Sequence, residues 1–274
     1  NPGLAVSGDR YLPRYTARAI KATALVEETR ALLRAWSPGE STAELRRRAR
    51  EEALLGKATA SRSDDVVAHA FNQRFLSGPL PAAPHLRRLL EVRGPGRWFA
   101  DLCLLYAARA DVVLREAIVV YAGGRRSNGR AYVDTPSLVR HLEDQEARGR
   151  MARPWSDGVK LSVAQHILRQ MTDFGLAGRP RRGVRELLAF DPTWVAIAWL
   201  AYDLHFQGFS DVRVVGHADW QLWTLDDRRL RERLSWLARP GLWEFQAAGS
   251  TVQVTWACAT MEEAVDALAR NELP

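Results

Sequence analysis

Apolar residues recur at helical spacing through most of the first 122 residues. In the stretch 15–36, Leu25, Leu32 and Trp36 fall on such spacings, and the stretch 97–121 is predicted as the longest, central helix. A period near 3.6 residues favours helices over strands. We therefore predict a mainly α-helical protein whose residues 1–122 form one all-helical domain.

Capping residues mark two further helix starts. Ser41 and Glu44 have the spacing of a capping box, in which each side chain bonds the backbone amide of the other residue. Asp134 or Thr135 can cap a later helix, because Pro136 fits its first position. Both patterns place a helix start without reference to the rest of the fold.

The stretch Gly123–Gly129 gives the strongest loop signal in the chain, and we expect a linker there. After it, one helix is predicted to about residue 148 and a second from Ser156 to Gly175. The turn that follows is crowded with arginines: Arg179, Arg181 and Arg182. Over residues 134–190 this is the order of a winged helix, whose second helix enters the major groove while the wing contacts phosphates. The alternative is two ordinary core helices joined to a solvated loop.

The C-terminal domain is predicted over 123–274 and ends in residues 191–274, which we call the tail. Its pattern predicts helices over 193–206, 226–238 and 260–268, and a β-hairpin around Gly249-Ser250. Seven of the ten tryptophans lie between 194 and 256. We interpret them as a dense core, with exposed stacking platforms as the alternative.

The charge is basic and uneven. The formal net charge is +7, and only Lys21, Lys57 and Lys160 are lysines, so 36 of the 39 cations are arginine. Residues 1–122 and 123–190 each carry +6, whereas the tail carries −5. This asymmetry indicates a surface for a polyanion on the first two-thirds of the chain. An arginine-rich soluble surface is the alternative.

Motifs for catalysis and metal binding are missing from the sequence. The two cysteines, Cys103 and Cys258, cannot build a disulfide framework or a four-ligand zinc site alone. The six histidines form no zinc-protease motif, and no phosphate-binding loop, dinucleotide fingerprint or hydrolase elbow occurs. None of the lysines follows an acid by two residues, which weakly disfavours a metal-dependent nuclease. We expect no catalytic site, metal or cofactor.

Hydropathy argues against membrane insertion. No stretch offers about 20 uncharged apolar residues. The N-terminus lacks the hydrophobic region of a signal peptide. The sequence therefore predicts a cytoplasmic protein with no membrane contact.

Four stretches, taken together, carry a resemblance to a known protein family. They are Tyr15–Leu33, Arg50–Lys57 followed by Thr59 and Ser61, Trp155–Leu176, and Val254–Asp266. Their order and spacing resemble the BrxA family of the BREX bacteriophage-exclusion systems, over nearly the whole chain. Glu51-Glu52-Ala53 departs from the family, whose members often show Glu-Asn there. This departure argues against assigning the roles of single family residues to positions of this chain.

The resemblance implies a non-enzymatic accessory protein of phage defence that binds double-stranded DNA. It implies an N-terminal helical domain similar to the NusB fold, an RNA-binding bundle. It also implies other BREX components as partners, which carry the methyltransferase and ATPase chemistry.

Two clusters are the candidate DNA-binding residues. The first lies on and just after the second predicted helix: Arg46, Arg47, Arg48, Arg50, Lys57 and Arg62. The second surrounds the winged unit: Arg125, Arg126, Arg130, Arg179, Arg181 and Arg182. For the first cluster the alternative is a solvated helix face with i,i+4 pairs, such as Arg47 with Glu51 and Arg48 with Glu52.

The predicted function is DNA binding through arginine–phosphate contacts, with little readout of bases. One alternative is a protein–protein adaptor whose acidic tail docks a basic partner. Another is a winged-helix transcriptional regulator, which would need a symmetric dimer to read two half-sites. No heptad or other obvious dimer helix is visible in the sequence.

Overall fold

Helices dominate the structure, which confirms the predicted mainly α-helical class. The computed structural model describes residues 15–270, apart from residues 22, 57, 79, 152 and 250. After a 3-10 turn at Ala17–Ile20, the helices up to residue 127 are α1 (Val26–Ala35), α2 (Thr42–Glu51), α3 (Ala60–Asp65), α4 (Ala83–Arg93), α5 (Arg97–Ala110), α6 (Val112–Glu116) and α7 (Gly123–Ser127). Val66–Leu76 continues α3 as a π-helix, and Ala117–Ala122 joins α6 to α7 in the same way.

Two small antiparallel sheets accompany the later helices. The elements are β1 (Tyr132–Asp134), α8 (Thr135–Ala147), α9 (Asp157–Asp173), β2 (Val184–Glu186), α10 (Trp194–Phe206), α11 (Asp211–Val215), a 3-10 turn (Ala218–Trp223), α12 (Asp227–Trp236), β3 (Trp243–Ala248), β4 (Thr251–Trp256) and α13 (Met261–Arg270). β1 pairs with β2. β3 pairs with β4, with Trp243 opposite Trp256, which confirms the predicted tail hairpin.

The two most enclosed helices, α5 and α10, pack against each other. α10 is apolar apart from Asp203 and His205 and is buried along most of its length, as expected of a helix enclosed by others. Across this contact the Trp199 Nε1 donates a hydrogen bond to the Tyr106 hydroxyl at 2.9 Å. α13 packs on α4, so the tail and the N-terminal helices share one hydrophobic core.

Most of the tail tryptophans belong to that core. Trp199, Trp220, Trp223 and Trp243 are each no more than 2% exposed. This confirms the dense-core interpretation for these four side chains. Trp236 differs from them, because 46% of its surface is exposed.

The glycine-rich stretch that was predicted as a linker begins as a helix. From residue 112 to residue 127, α6, the π-helical residues and α7 follow one another without a break. Gly123 has φ −59° and ψ −47°, ordinary right-handed helical values, because a helix already formed tolerates glycine at a cost of about 1 kcal/mol relative to alanine. The linker prediction is wrong at these residues. The division into residues 1–122 and 123–274 stays a prediction.

The predicted helix caps are confirmed. Ser41 accepts a hydrogen bond from the Glu44 amide, and the Glu44 carboxylate accepts one from the Ser41 amide at 2.9 Å. Asp134 is the cap of α8 and accepts from the Ser137 amide at 2.7 Å. Pro136 lies in the first turn of that helix, as predicted.

The helix that was predicted over 15–36 is interrupted. A 3-10 turn covers Ala17–Ile20, and α1 begins only at Val26. Leu25 between them adopts a left-handed conformation with φ 54° and ψ 36°, and its side chain is buried. Burial of this leucine offsets the unfavourable backbone conformation and fixes the break.

Candidate nucleic-acid interface

The α8–α9 pair is held by a small sheet. The two helices pack against each other, and β1 before α8 pairs with β2 after α9. The chain between α9 and β2 doubles back along β2. The Gly178 amide donates to the Glu186 carbonyl at 2.8 Å, and the Leu188 amide donates to the Leu176 carbonyl at 3.0 Å. Three backbone segments therefore lie side by side, with β2 in the middle.

A tight turn closes this hairpin, which we call the wing (residues 176–188). The Arg181 and Val184 backbones exchange hydrogen bonds of 2.8 and 3.0 Å. The two residues between them have positive φ, 51° at Arg182 and 80° at Gly183, as a type I′ turn requires. Arg179, Arg181 and Arg182 are exposed. None of these three side chains has an ion pair or hydrogen bond with the part of the chain that the structure describes.

The other arginines of the second cluster have two different environments. Arg125 Nε donates to the Tyr132 carbonyl. Arg126 Nη2 donates to the Leu188 carbonyl at 3.0 Å, and burial lowers the pKa of this arginine. These two side chains tie α7 to β1 and to the wing. Arg130 is exposed and finds no side-chain partner among the described residues, so it adds free charge beside the wing.

Carboxylates pair with four arginines of the first cluster. Arg47 pairs with Glu51 at 2.6 Å, and Arg48 pairs with Glu52 at 3.1 Å, as their spacing on the helix predicts. Arg48 also contacts Glu40 at 2.9 Å. Hydrogen bonds to these carboxylates raise the pKa of Arg48. Both arginines are therefore occupied within the protein.

Arg46, Arg50 and Arg62 are also engaged within the protein. Arg46 and Arg50 both reach from α2 to Asp64 on α3, at 3.1 and 3.5 Å. Arg62 donates to a backbone carbonyl of the N-terminal segment. Lys57 lies outside the described residues. The structure thus favours the solvated, paired helix face over a free cationic surface at α2.

Sequence reasoning missed an exposed stripe on α9. Leu161, Gln165 and Arg169 recur every four residues, and all three are exposed. The opposite face is buried and consists of Val163, Ala164, Ile167, Leu168 and Met171. The signal that could have found the stripe is its i, i+4, i+8 spacing, because such residues share one face of a helix.

A buried ion network joins the N-terminal helices to the tail. Arg109 on α5 donates to Asp203 on α10 and to Asp219 in the 3-10 turn, both at 2.7 Å. Arg115 on α6 donates to the other oxygen of Asp219 at 2.5 Å. Burial alone would raise the pKa of Asp219, but the two arginines lower it below its ordinary value. For Asp203 burial prevails, and its pKa is raised. The network fixes the tail on α5 and α6.

Clustered metal ligands are not found in the described part of the chain. No group of three or more His, Cys, Asp or Glu side chains between residues 15 and 270, outside the five gaps, is arranged to hold a metal ion. Over the same residues no helix combines the length and the apolar character needed to cross a bilayer.

The fold has a counterpart among solved structures. The crystal structure of an uncharacterized protein from Magnetospirillum magneticum is similar, with a TM-score of 0.58 and 16% sequence identity over 71% of this chain and 95% of that one. At this identity the likeness concerns the fold alone. No functionally curated protein matches the sequence.

A family assignment comes from the sequence itself. The sequence model of the BrxA family matches residues 13–187, more than half of the 274 residues. The match includes α8, α9 and nearly all of the wing, whereas the stretch Val254–Asp266 lies outside it. The chain belongs to the BrxA family.

Proposed function

We propose that this BrxA-family protein is a non-enzymatic accessory component of a BREX phage-defence system that binds double-stranded DNA. The observation that carries the proposal is the group of exposed arginines without a partner in the described residues: Arg130, Arg179, Arg181 and Arg182. Family membership supports the BREX role, and with it other BREX components as partners and a cytoplasmic location.

Phosphate binding is more favourable at an arginine without an ion pair than at a paired one. A phosphate that binds Arg47 must compete with Glu51, which already lies 2.6 Å from the guanidinium. A phosphate at Arg181 forms a new charge-assisted contact and releases a counterion. The planar fork of arginine suits bidentate contacts to phosphate. The wing is therefore the better DNA-binding surface, although α2 has the denser run of arginines.

The backbone of the wing adds an independent argument. Arg182 has φ 51°, a left-handed conformation that costs a side chain other than glycine about 1 kcal/mol. Asn or Gly would suit this turn position better. Residues in strained conformations concentrate at functional sites. The presence of an arginine at such a position, in place of Asn or Gly, supports a role for its charge.

The arrangement of α8, α9 and the wing supports a winged-helix mode of binding. In that mode α9 faces the major groove, and the wing contacts the phosphates beside it. The order β1, α8, α9, wing along the chain and the pairing of β1 with β2 are consistent with it. For the N-terminal helices, the similarity to the NusB fold stays a prediction from the family.

The test is charge reversal at the wing. The variant Arg179→Glu/Arg181→Glu/Arg182→Glu should bind a random-sequence duplex much more weakly in fluorescence anisotropy, with an unchanged melting temperature. The matched control makes the same charge change on the tail, at Arg213, Arg228 and Arg229, and should retain most of the affinity.

Salt dependence gives the test a second readout. Each lost phosphate contact should make the negative slope of log K against log[salt] shallower by about 0.9. Equal affinity of the folded wing variant and the wild type would remove the wing from the proposal. A wild-type protein that binds no duplex at low salt would refute DNA binding by this chain.

One observation favours an adaptor as a second candidate function. Trp236 is 46% exposed. The residues that follow it in the sequence line a groove of about 520 Å³, among them Trp243, Phe245 and Trp256. Exposed aromatic side chains are enriched where proteins bind each other. If the duplex does not bind, Trp236→Ala should reduce capture of a partner BREX component, and unchanged capture would remove this candidate.

A further inference from the structure

We propose that α9 makes the DNA binding sequence-selective, through base contacts from Leu161, Gln165 and Arg169. This inference rests on the proposed DNA-binding function and deepens it, because phosphate contacts by the wing alone carry no sequence information. It replaces the expectation of little base readout with a defined set of reading residues.

The exposure of the stripe supports the inference. Leu161 is 45% exposed, and the Arg169 side chain is 73% exposed. α8 and the 3-10 turn Ala17–Ile20 pack against α9 and leave this stripe uncovered. Over eight residues the stripe extends about 12 Å, which corresponds to roughly three to four base pairs at about 3.4 Å each.

The chemistry of the stripe matches the major groove. Arginine can contact guanine O6 and N7 in bidentate fashion, glutamine can contact adenine N6 and N7, and an apolar side chain can contact the thymine methyl group. Within the described residues the side-chain amide of Gln165 makes no hydrogen bond. Arg169 has only a distant ion pair, 3.8 Å from Asp173. Its donors are therefore available to a base.

Acidic residues do not interrupt the stripe. The carboxylates of α9 are Asp157 and Asp173, at its two ends, so no carboxylate lies between Leu161 and Arg169 to repel the DNA. Leu161, at the start of the stripe, is 45% exposed. Contact with a thymine methyl group would bury it.

The wing holds α9 in a fixed position. The Thr172 hydroxyl, near the end of α9, donates to the Gly178 carbonyl on the wing at 3.1 Å. The Leu176 amide donates to the Met171 carbonyl at 2.8 Å. A wing anchored on phosphates therefore sets the position of Arg169 relative to the bases. Such phosphate contacts fix register, and the helix then reads sequence.

The experiment is selection from duplexes with a randomised central segment, followed by anisotropy on the selected duplex and on a shuffled one. The wild type should prefer the selected duplex. Gln165→Ala and Arg169→Ala should each lower this preference by roughly 5- to 150-fold, the value of one bidentate base contact. Affinity for the shuffled duplex should change little.

The matched control is Arg228→Ala on α12. Arg228 is 78% exposed and has an i,i+4 partner in Glu232, like Arg169 with Asp173, and its removal should leave the preference intact. A wild type that binds every duplex equally, or an Arg169→Ala variant that weakens both duplexes by the same factor, would overturn base readout and leave the proposed function standing. A wild type that binds no duplex would overturn both.

Discussion

The substitution Arg182→Asn should strengthen the fold and weaken DNA binding at the same time. Arg182 lies at the first central position of the type I′ turn, with φ 51°, and Gly183 follows with φ 80°. Asn-Gly is the preferred pair for such a turn. The arginine side chain has no partner in the described residues, so little native contact is lost. We expect a gain of about 0.5 to 1 kcal/mol in the free energy of unfolding.

The loss of binding can be worked out from a single phosphate contact. Removing one contact makes the negative slope of log K against log[salt] shallower by about 0.9. Between 200 mM and 50 mM salt, the ratio of wild-type to variant affinity should therefore rise by about 3.5-fold. The melting temperature should rise by about 1 to 3 °C.

Arg181→Asn is the matched control for this prediction. Arg181 has the same charge and exposure but not the positive φ of its neighbour. It should lose the same salt slope without any gain in stability. The assays are anisotropy across a salt series and urea denaturation. The reasoning fails if Arg182→Asn is less stable than the wild type, or if its salt slope is unchanged.

Three other predictions concern the core. Asp219→Asn should cost about 3 kcal/mol in urea denaturation, because Arg109 and Arg115 both lose the ion pair with the buried Asp219 carboxylate. The control Asp191→Asn, in an exposed pair with Arg233 at 2.6 Å, should cost less than about 1 kcal/mol. Burial lowers the pKa of His141, so the folded state binds fewer protons than the unfolded chain, and stability should fall as the pH drops below about 6.5. In His141→Gln this dependence should be shallower, and an identical pH profile would contradict the assignment. Burial raises the pKa of Cys103 to about 12, so a thiol reagent should modify it only after unfolding; rapid labelling of the native protein would disprove this.

Local signals were sufficient for several elements. The Ser41–Glu44 capping box and the Asp134 cap with Pro136 depend on residues within three positions of each other. Such contacts form without help from the rest of the fold, so sequence alone locates them. The hairpin around Gly249 was predictable for the same reason, because alternating side chains flank a turn residue.

Long-range contacts explain what sequence reasoning missed. Arg46 and Arg50 share the single carboxylate of Asp64 on another helix, and no spacing rule along the chain connects these residues. The helical conformation of Gly123 comes from the preceding helix, which overrides the loop preference of glycine. Burial of Leu25 sets a helix break where the sequence contains neither glycine nor proline. For the two arginines and Leu25 tertiary contacts decided the outcome, and for Gly123 the helix that directly precedes it did.

Counting arginines alone would place DNA on α2, where four of them fall within residues 46–50. A phosphate there exchanges one ion pair for another, whereas each contact at the wing is new and releases counterions. The tail adds a coarser preference, because its net charge of −5 disfavours a polyanion, whereas residues 1–122 and 123–190 each carry +6. Trp236, the residue behind the second candidate function, lies on α12 of the tail and is exposed. The two candidate functions therefore use different residues, the wing arginines within the range matched by the family and Trp236 beyond it.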